Sequence, residues 1–146
     1  MTGITGLGEN QPNTMFMVAK LVVAEDDVAL FDTAATEERH QLATTAGNFT
    51  IFAGTLLQDG PRTTDWFIFT CIFDGASSLI KRNAASASGQ AGAHPCNSGI
   101  YIGRNWSGAG FPNMYAAEFI MYNNRVSTGD QTKIVDYLKA KYGVSY

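Results

Sequence analysis

The sequence predicts an all-β sandwich closed by a single α-helix. Three observations carry that expectation. Short apolar runs recur with turn signals at about every 8 to 12 residues, the spacing of sandwich strands. The longest run, Trp66 to Phe73, is apolar on both parities, which belongs to a strand in the middle of a packed layer. From Ser127 onward the period changes from two to 3.6, and one amphipathic helix runs to Gly143.

Each element follows from its residues. Residues 1–13 hold three glycines together with Asn10, Gln11, Pro12 and Asn13. They read as an extended N-terminal arm ahead of a sandwich domain over residues 14–146. Thr14 to Ala24 is a β-type run, and Glu25-Asp26-Asp27 is a charged turn. Val28 to Thr33, Arg39 to Thr45 and Asn48 to Ala53 are further short strands. Asp59-Gly60-Pro61 is a turn signal. After Phe73, Asp74-Gly75 turns the chain into a return strand, Ser78 to Asn83. Residues 84–98, rich in Ala, Ser and Gly, read as a long surface loop. In the final helix Ser127 is the N-cap, with Asp130 three residues on as a weaker capping box. Ile134, Tyr137, Leu138 and Tyr142 share one face, and Gly143 is the C-terminal stop.

Composition bounds the function. At 146 residues a single domain buries roughly 70% of its extended surface, enough for one core. Nine Phe, six Tyr and two Trp suit strands and sandwich cores. A net charge of −3, with only Lys81-Arg82 adjacent among the basic residues, gives no electrostatic reason to expect nucleic acid. No apolar run approaches the roughly 18 residues of a membrane helix. The N-terminal stretch lacks a positive n-region and an apolar core, so it does not read as a secretory signal. Synthesis in a cytoplasm is therefore expected, and a reducing compartment argues against a Cys71–Cys96 bridge. Cys71 is expected in the core and Cys96 in a loop.

Three pieces, in order, resemble the concanavalin A-like jelly-roll domains of the laminin-G-like type common in phage and bacterial surface proteins. The first is the Trp66 strand ending in Asp74-Gly75 before its return strand. The second is Ile102-Gly103 followed by a loop holding Gly108 and Gly110. The third is Ala117-Glu118-Phe119-Ile120-Met121-Tyr122-Asn123, leading through Ser127 into the helix. The resemblance covers Thr14 to Tyr142. It implies a concanavalin A-like jelly-roll β-sandwich with one C-terminal α-helix. The chain departs from that pattern at its start, where a short glycine-rich arm stands in place of the first strands.

The usual catalytic signatures are missing. Glycosidases on this fold pair two carboxylates on one strand. Here Glu37-Glu38 are adjacent and would face opposite ways, and Glu118 has no partner nearby in sequence. Glu118 reads as structural, hydrogen-bonding inside the sheet. His40 and His94 cannot make a three-histidine metal site, and the acidic triplet at 25–27 reads as a solvated turn. Neither a cofactor nor a metal is expected. For a sugar, Arg104-Asn105-Trp106 supplies a stacking ring and planar polar groups on a glycine-rich loop. The alternative is that Trp106 packs over the sandwich end or into a subunit contact.

The leading expectation is a non-enzymatic phage virion component, a capsid decoration or cement protein. Its partners would be the major capsid protein or other virion subunits, in a homo-oligomer set as a trimer, with the arm reaching a neighbour. It would be made in a host cytoplasm and reside in the virion. The alternative is a carbohydrate-binding, lectin-like module contacting a cell-surface glycan. Neither nucleic acid nor membrane is an expected partner.

Overall fold

Residues 10–145 are described in the computed structural model. They form two five-stranded antiparallel sheets and one long helix. The first sheet runs β10 (Met114–Tyr122), β1 (Asn13–Leu21), β6 (Phe67–Phe73), β7 (Ser78–Arg82) and β8 (Ala85–Gly89). The second runs β5 (Leu56–Pro61), β4 (Asn48–Phe52), β3 (Gln41–Thr45), β2 (Ala29–Thr33) and β9 (Ile100–Ile102). The helix α1 spans Thr128–Tyr142. This is the all-β sandwich with one C-terminal helix that the sequence predicts.

Two apolar layers hold the sheets. Between them lie Met15, Met17, Phe31, Phe49, Phe69 and Phe73, each no more than 1% exposed. The rings interlock edge to face, with Phe49–Phe69 centroids 5.0 Å apart and Phe31–Phe119 5.3 Å apart. Each fully buried ring or aliphatic chain adds about 1.5–3 kcal/mol over its exposed state. The second layer lies outside the first sheet, where Phe16, Val18 and Ile68 pack under Val126, Leu138 and Val144. This explains the doubly apolar β6. One parity faces the other sheet, and the other parity faces α1.

The helix ends behave as expected. The Ser127 hydroxyl accepts from the Asp130 N–H and donates to the Asp130 carboxylate. Gly143 is left-handed at φ 65°, and its N–H reaches the Lys139 carbonyl. Leu138 is buried and Ile134 and Tyr142 are partly so, but Tyr137 is 49% exposed. Val135 takes its place in the contact with the sheet.

Three expectations change. Asp59-Gly60-Pro61 is not a turn but the end of strand β5. Phe49 pairs with Gly60 and Thr50 with Gln58, so Asp59 is the extra residue of a β-bulge. The bulge lets Asp59 ion-pair with Arg82 of β7. Second, residues 84–98 are not one surface loop. Ala85–Gly89 is strand β8, and Ala91 and Cys96 are fully buried. The stretch after β8 docks by backbone bonds between Ala53 N–H and Ala91 O, and between His94 N–H and Ala53 O. Gly92 permits this approach: at φ 99° a Cβ would lie 2.0 Å from the Ala53 oxygen. Cys96 is therefore a core residue like Cys71, and the two are not joined in a disulfide.

Third, the fold begins before residue 14. Asn13 opens β1, and the Gln11 side chain bonds the Gly92 and His94 carbonyls and the Gly75 N–H. Residues 1–9, the rest of the expected arm, lie outside the described residues.

Candidate functional site

The sequence singles out Arg104, Asn105 and Trp106, and the structure places all three on the loop after β9. Two of them serve the loop itself. Arg104 lies flat on the Tyr101 ring, 4.0 Å from its centroid. The Asn105 side-chain oxygen accepts from the Ser107 hydroxyl and the Ala109 N–H, closing the turn. Trp106 is 37% exposed, and its backbone N–H donates to Asp32 over 3.1 Å.

Asp32 anchors that loop, and sequence reasoning missed it. Its carboxylate is fully buried on β2. It accepts from Arg39 Nη2 at 2.8 Å and Nε at 3.3 Å, from Gln41, and from the Thr33 N–H. Burial pushes its pKa up, and the Arg39 hydrogen bond and charge pull against that. The available signal was a carboxylate within a strand whose five residues are all buried. Such a residue must find partners.

A second aromatic surface was not expected. Lys20 of β1 stands opposite Tyr115 of β10. On the other side, Ala19 pairs with Phe67, so Trp66 is the next residue out. Ala19 and Phe67 point into the core between the sheets; Lys20, Trp66 and Tyr115 therefore share the outer face. The rings of Trp66 and Tyr115 meet over β1 with centroids 6.5 Å apart and planes 29° from parallel. Trp66 is 39% exposed and Tyr115 61%.

A bulge in β10 completes the surface. Val18 pairs with Glu118 and Ala19 with Ala116, which leaves Ala117 extra. In a regular strand Tyr115 and Glu118, three apart, would face opposite ways. With the bulge both face outward. Glu118 accepts from Lys141 at 3.0 Å and from the Tyr142 hydroxyl at 2.9 Å. These bonds, Lys141 foremost, hold the Glu118 carboxyl below its usual range. Lys141 in turn is pushed upward, first by its bond to the Tyr137 hydroxyl and then by Glu118. Glu118 thus ties the end of α1 to the sheet rather than serving within it.

Beside this surface an open cleft of about 400 Å³ runs between the start of β6 and the end of α1. Asp65, Trp66, Asn83, Tyr142 and Ser145 line it. A flat ring pair bordered by a carboxylate, an amide and hydroxyls can stack one face of a ligand and hydrogen-bond its rim. The acidic triplet at 25–27 does other work: Asp26 pairs with Arg62 at 2.6 Å and accepts from the Gly47 N–H. Among the described residues no group of three or more His, Cys, Asp or Glu side chains is placed to hold a metal ion.

No family model matches the chain, and a search of curated proteins finds no match. Solved structures do match in fold. A Trypanosoma rangeli sialidase in complex with 2,3-difluorosialic acid superposes at a TM-score of 0.66 with 15% identity, over 91% of this chain. The same organism's sialidase in complex with sialic acid gives 0.64 at 12% identity, again over 91%. The match takes in 23% and 24% of those two chains, so this protein spans about a quarter of their length. The likeness is one of fold alone, a β-sandwich with which a jelly roll of the concanavalin-like kind fits.

Proposed function

We propose that this protein is a non-enzymatic carbohydrate-binding module. The observation that carries the reading is the Trp66–Tyr115 ring pair, held open on the outer face of the first sheet beside a polar cleft. Stacking on a pyranose uses the apolar face of the sugar, and the surrounding polar groups take its hydroxyls. Two carboxylates, Asp32 and Glu118, are engaged in structural pairs, Asp32 with Arg39, and Glu118 with Lys141 and Tyr142. The sialidase likeness lends support as a fold that occurs in carbohydrate-acting proteins.

Affinity electrophoresis of the whole chain through gels containing soluble polysaccharides tests this. Retardation by at least one polysaccharide, lost in the Trp66→Ala/Tyr115→Ala double variant, is expected. Mobility unchanged across the panel overturns the reading.

The virion decoration reading is retained as a second proposal because of one feature. Strand β10 is nine residues long and, among the described residues, pairs with a strand on one side only. A free edge of that length is a template for adding another chain, which natural sheets normally cover. Under this reading the edge contacts capsid subunits or other copies, in a trimer or similar ring. Size-exclusion with light scattering on the full chain, then co-sedimentation with phage particles, tests it. A monomer that never co-sediments counts against it.

A further inference from the structure

We infer that the Trp66–Tyr115 surface takes an acidic saccharide, a pyranose bearing a ring carboxylate, and that Lys20 meets that charge. The inference rests on the carbohydrate reading above and deepens it. The register puts Lys20 between the two ring-bearing residues and on their face. Its side chain is half-buried there.

Six other cations of the chain are committed. Arg39, Arg62, Arg82, Arg125, Lys133 and Lys141 each sit against a carboxylate. No carboxylate among the described residues comes within ion-pair distance of Lys20. Two carboxylates bordering the ring pair have partners of their own: Asp65 accepts from the Thr63 hydroxyl at 2.7 Å, and Glu118 is held by Lys141 and Tyr142. The register sets Lys20 beside both ring-bearing residues with no carboxylate to neutralise it, so an incoming carboxylate gains a charge-assisted hydrogen bond there. A pyranose stacked on either ring carries its exocyclic carboxylate at its rim, where it can turn toward the strand that carries the lysine. Net charge does not supply the attraction, because the chain is at −3 and repels a polyanion overall.

Lys81 is the natural control. It pairs with Thr70 across β6 and β7, has no carboxylate partner among the described residues, and lines a groove under α1 away from the rings. Removing it changes net charge equally and leaves the platform intact.

The experiment is affinity electrophoresis of the full chain in gels containing polygalacturonate or a neutral glucan of matched length. Wild type is expected to be retarded more by the polyuronate, and Lys20→Met to lose about tenfold of that affinity, the usual worth of one charge-assisted hydrogen bond. Lys20→Arg retains most of it, and Lys81→Met behaves as wild type. Circular dichroism melts confirm that each variant is folded. Equal retardation of wild type by the acidic and neutral polymers, or full retention by Lys20→Met, overturns the inference and leaves the carbohydrate reading standing. Absence of retardation by both polymers overturns the inference, and the carbohydrate reading falls with it when the whole polysaccharide panel also leaves mobility unchanged.

Discussion

Acid should destabilise this fold through one buried histidine. His40 is fully buried, with its ring stacked on Phe73 at 4.2 Å. Its Nε2 lies 2.8 Å from the His94 carbonyl. A carbonyl only accepts, so Nε2 carries the proton. Nδ1 is buried and has no hydrogen-bond partner. Protonating Nδ1 would place a charge there without an acceptor, and burial lowers the ring's pKa from 6.5 to about 4.

The unfolded ring takes up a proton below pH 6.5, while the native ring resists until near pH 4. Stability is therefore full above pH 6.5 and falls as the pH drops through that window. The loss comes to about 2 kcal/mol at pH 5 and roughly 3 kcal/mol once both states are protonated. Asp32 works in the opposite sense, since its raised pKa makes the native state the better proton acceptor as acid is added. A difference measurement removes it. Urea unfolding of wild type and His40→Gln at pH 7.5, 6.0 and 5.0 should show the wild type losing about 2 kcal/mol more than the variant over that range. A gap between the two proteins that does not change with pH refutes the argument, whatever the variant's absolute stability.

Four further outcomes are expected. Asp32→Ala leaves Arg39 facing a buried void of charge and should cost about 3–5 kcal/mol. In a Trp66→Phe background it should also shift Trp106 emission to the red, because the loop loses its anchor; a melting temperature within a degree or two of wild type contradicts this. Gly92→Ala pushes a Cβ to within 2.0 Å of the Ala53 oxygen at a positive φ, so it should unfold the β4–β5 corner, and a variant melting like wild type would count against that packing. Ser127→Ala removes the N-cap and should lower stability by about 1 kcal/mol in urea titration. Trp106→Ala, the substitution the sequence recommends for a sugar site, should leave polysaccharide retention unchanged; abolition would move the site back to that loop.

What could be read without coordinates follows a physical divide. The sandwich was legible because its signals are local and repeated: period-two runs, aromatic enrichment, and a helix with both caps written in Ser127 and Gly143. The doubly apolar β6 even announced a layer on each side, although only the structure shows that the outer layer is the chain's own helix. Bulges were not legible. Asp59 and Ala117 are each a single extra residue, and neither carries a sequence mark that separates a bulge from a turn or a regular strand.

The surface proposed for binding depends on that missing information. Parity alone puts Tyr115 and Glu118 on opposite faces and leaves Trp66 as one more member of an apolar run. The Ala117 bulge reverses the first conclusion. The length of α1 decides the second, since its contacts cover Ile68 but leave Trp66 partly exposed. Trp106 drew attention because an aromatic on a glycine-rich loop is conspicuous in a sequence. Yet its polar neighbours Arg104 and Asn105 are occupied in holding the loop. Tyr115 stands within β10 and Trp66 one residue before β6, so the sheet fixes the ring pair, and a rigid platform loses less entropy on binding than a loop. That is the physical reason to place recognition on the sheet rather than on the loop.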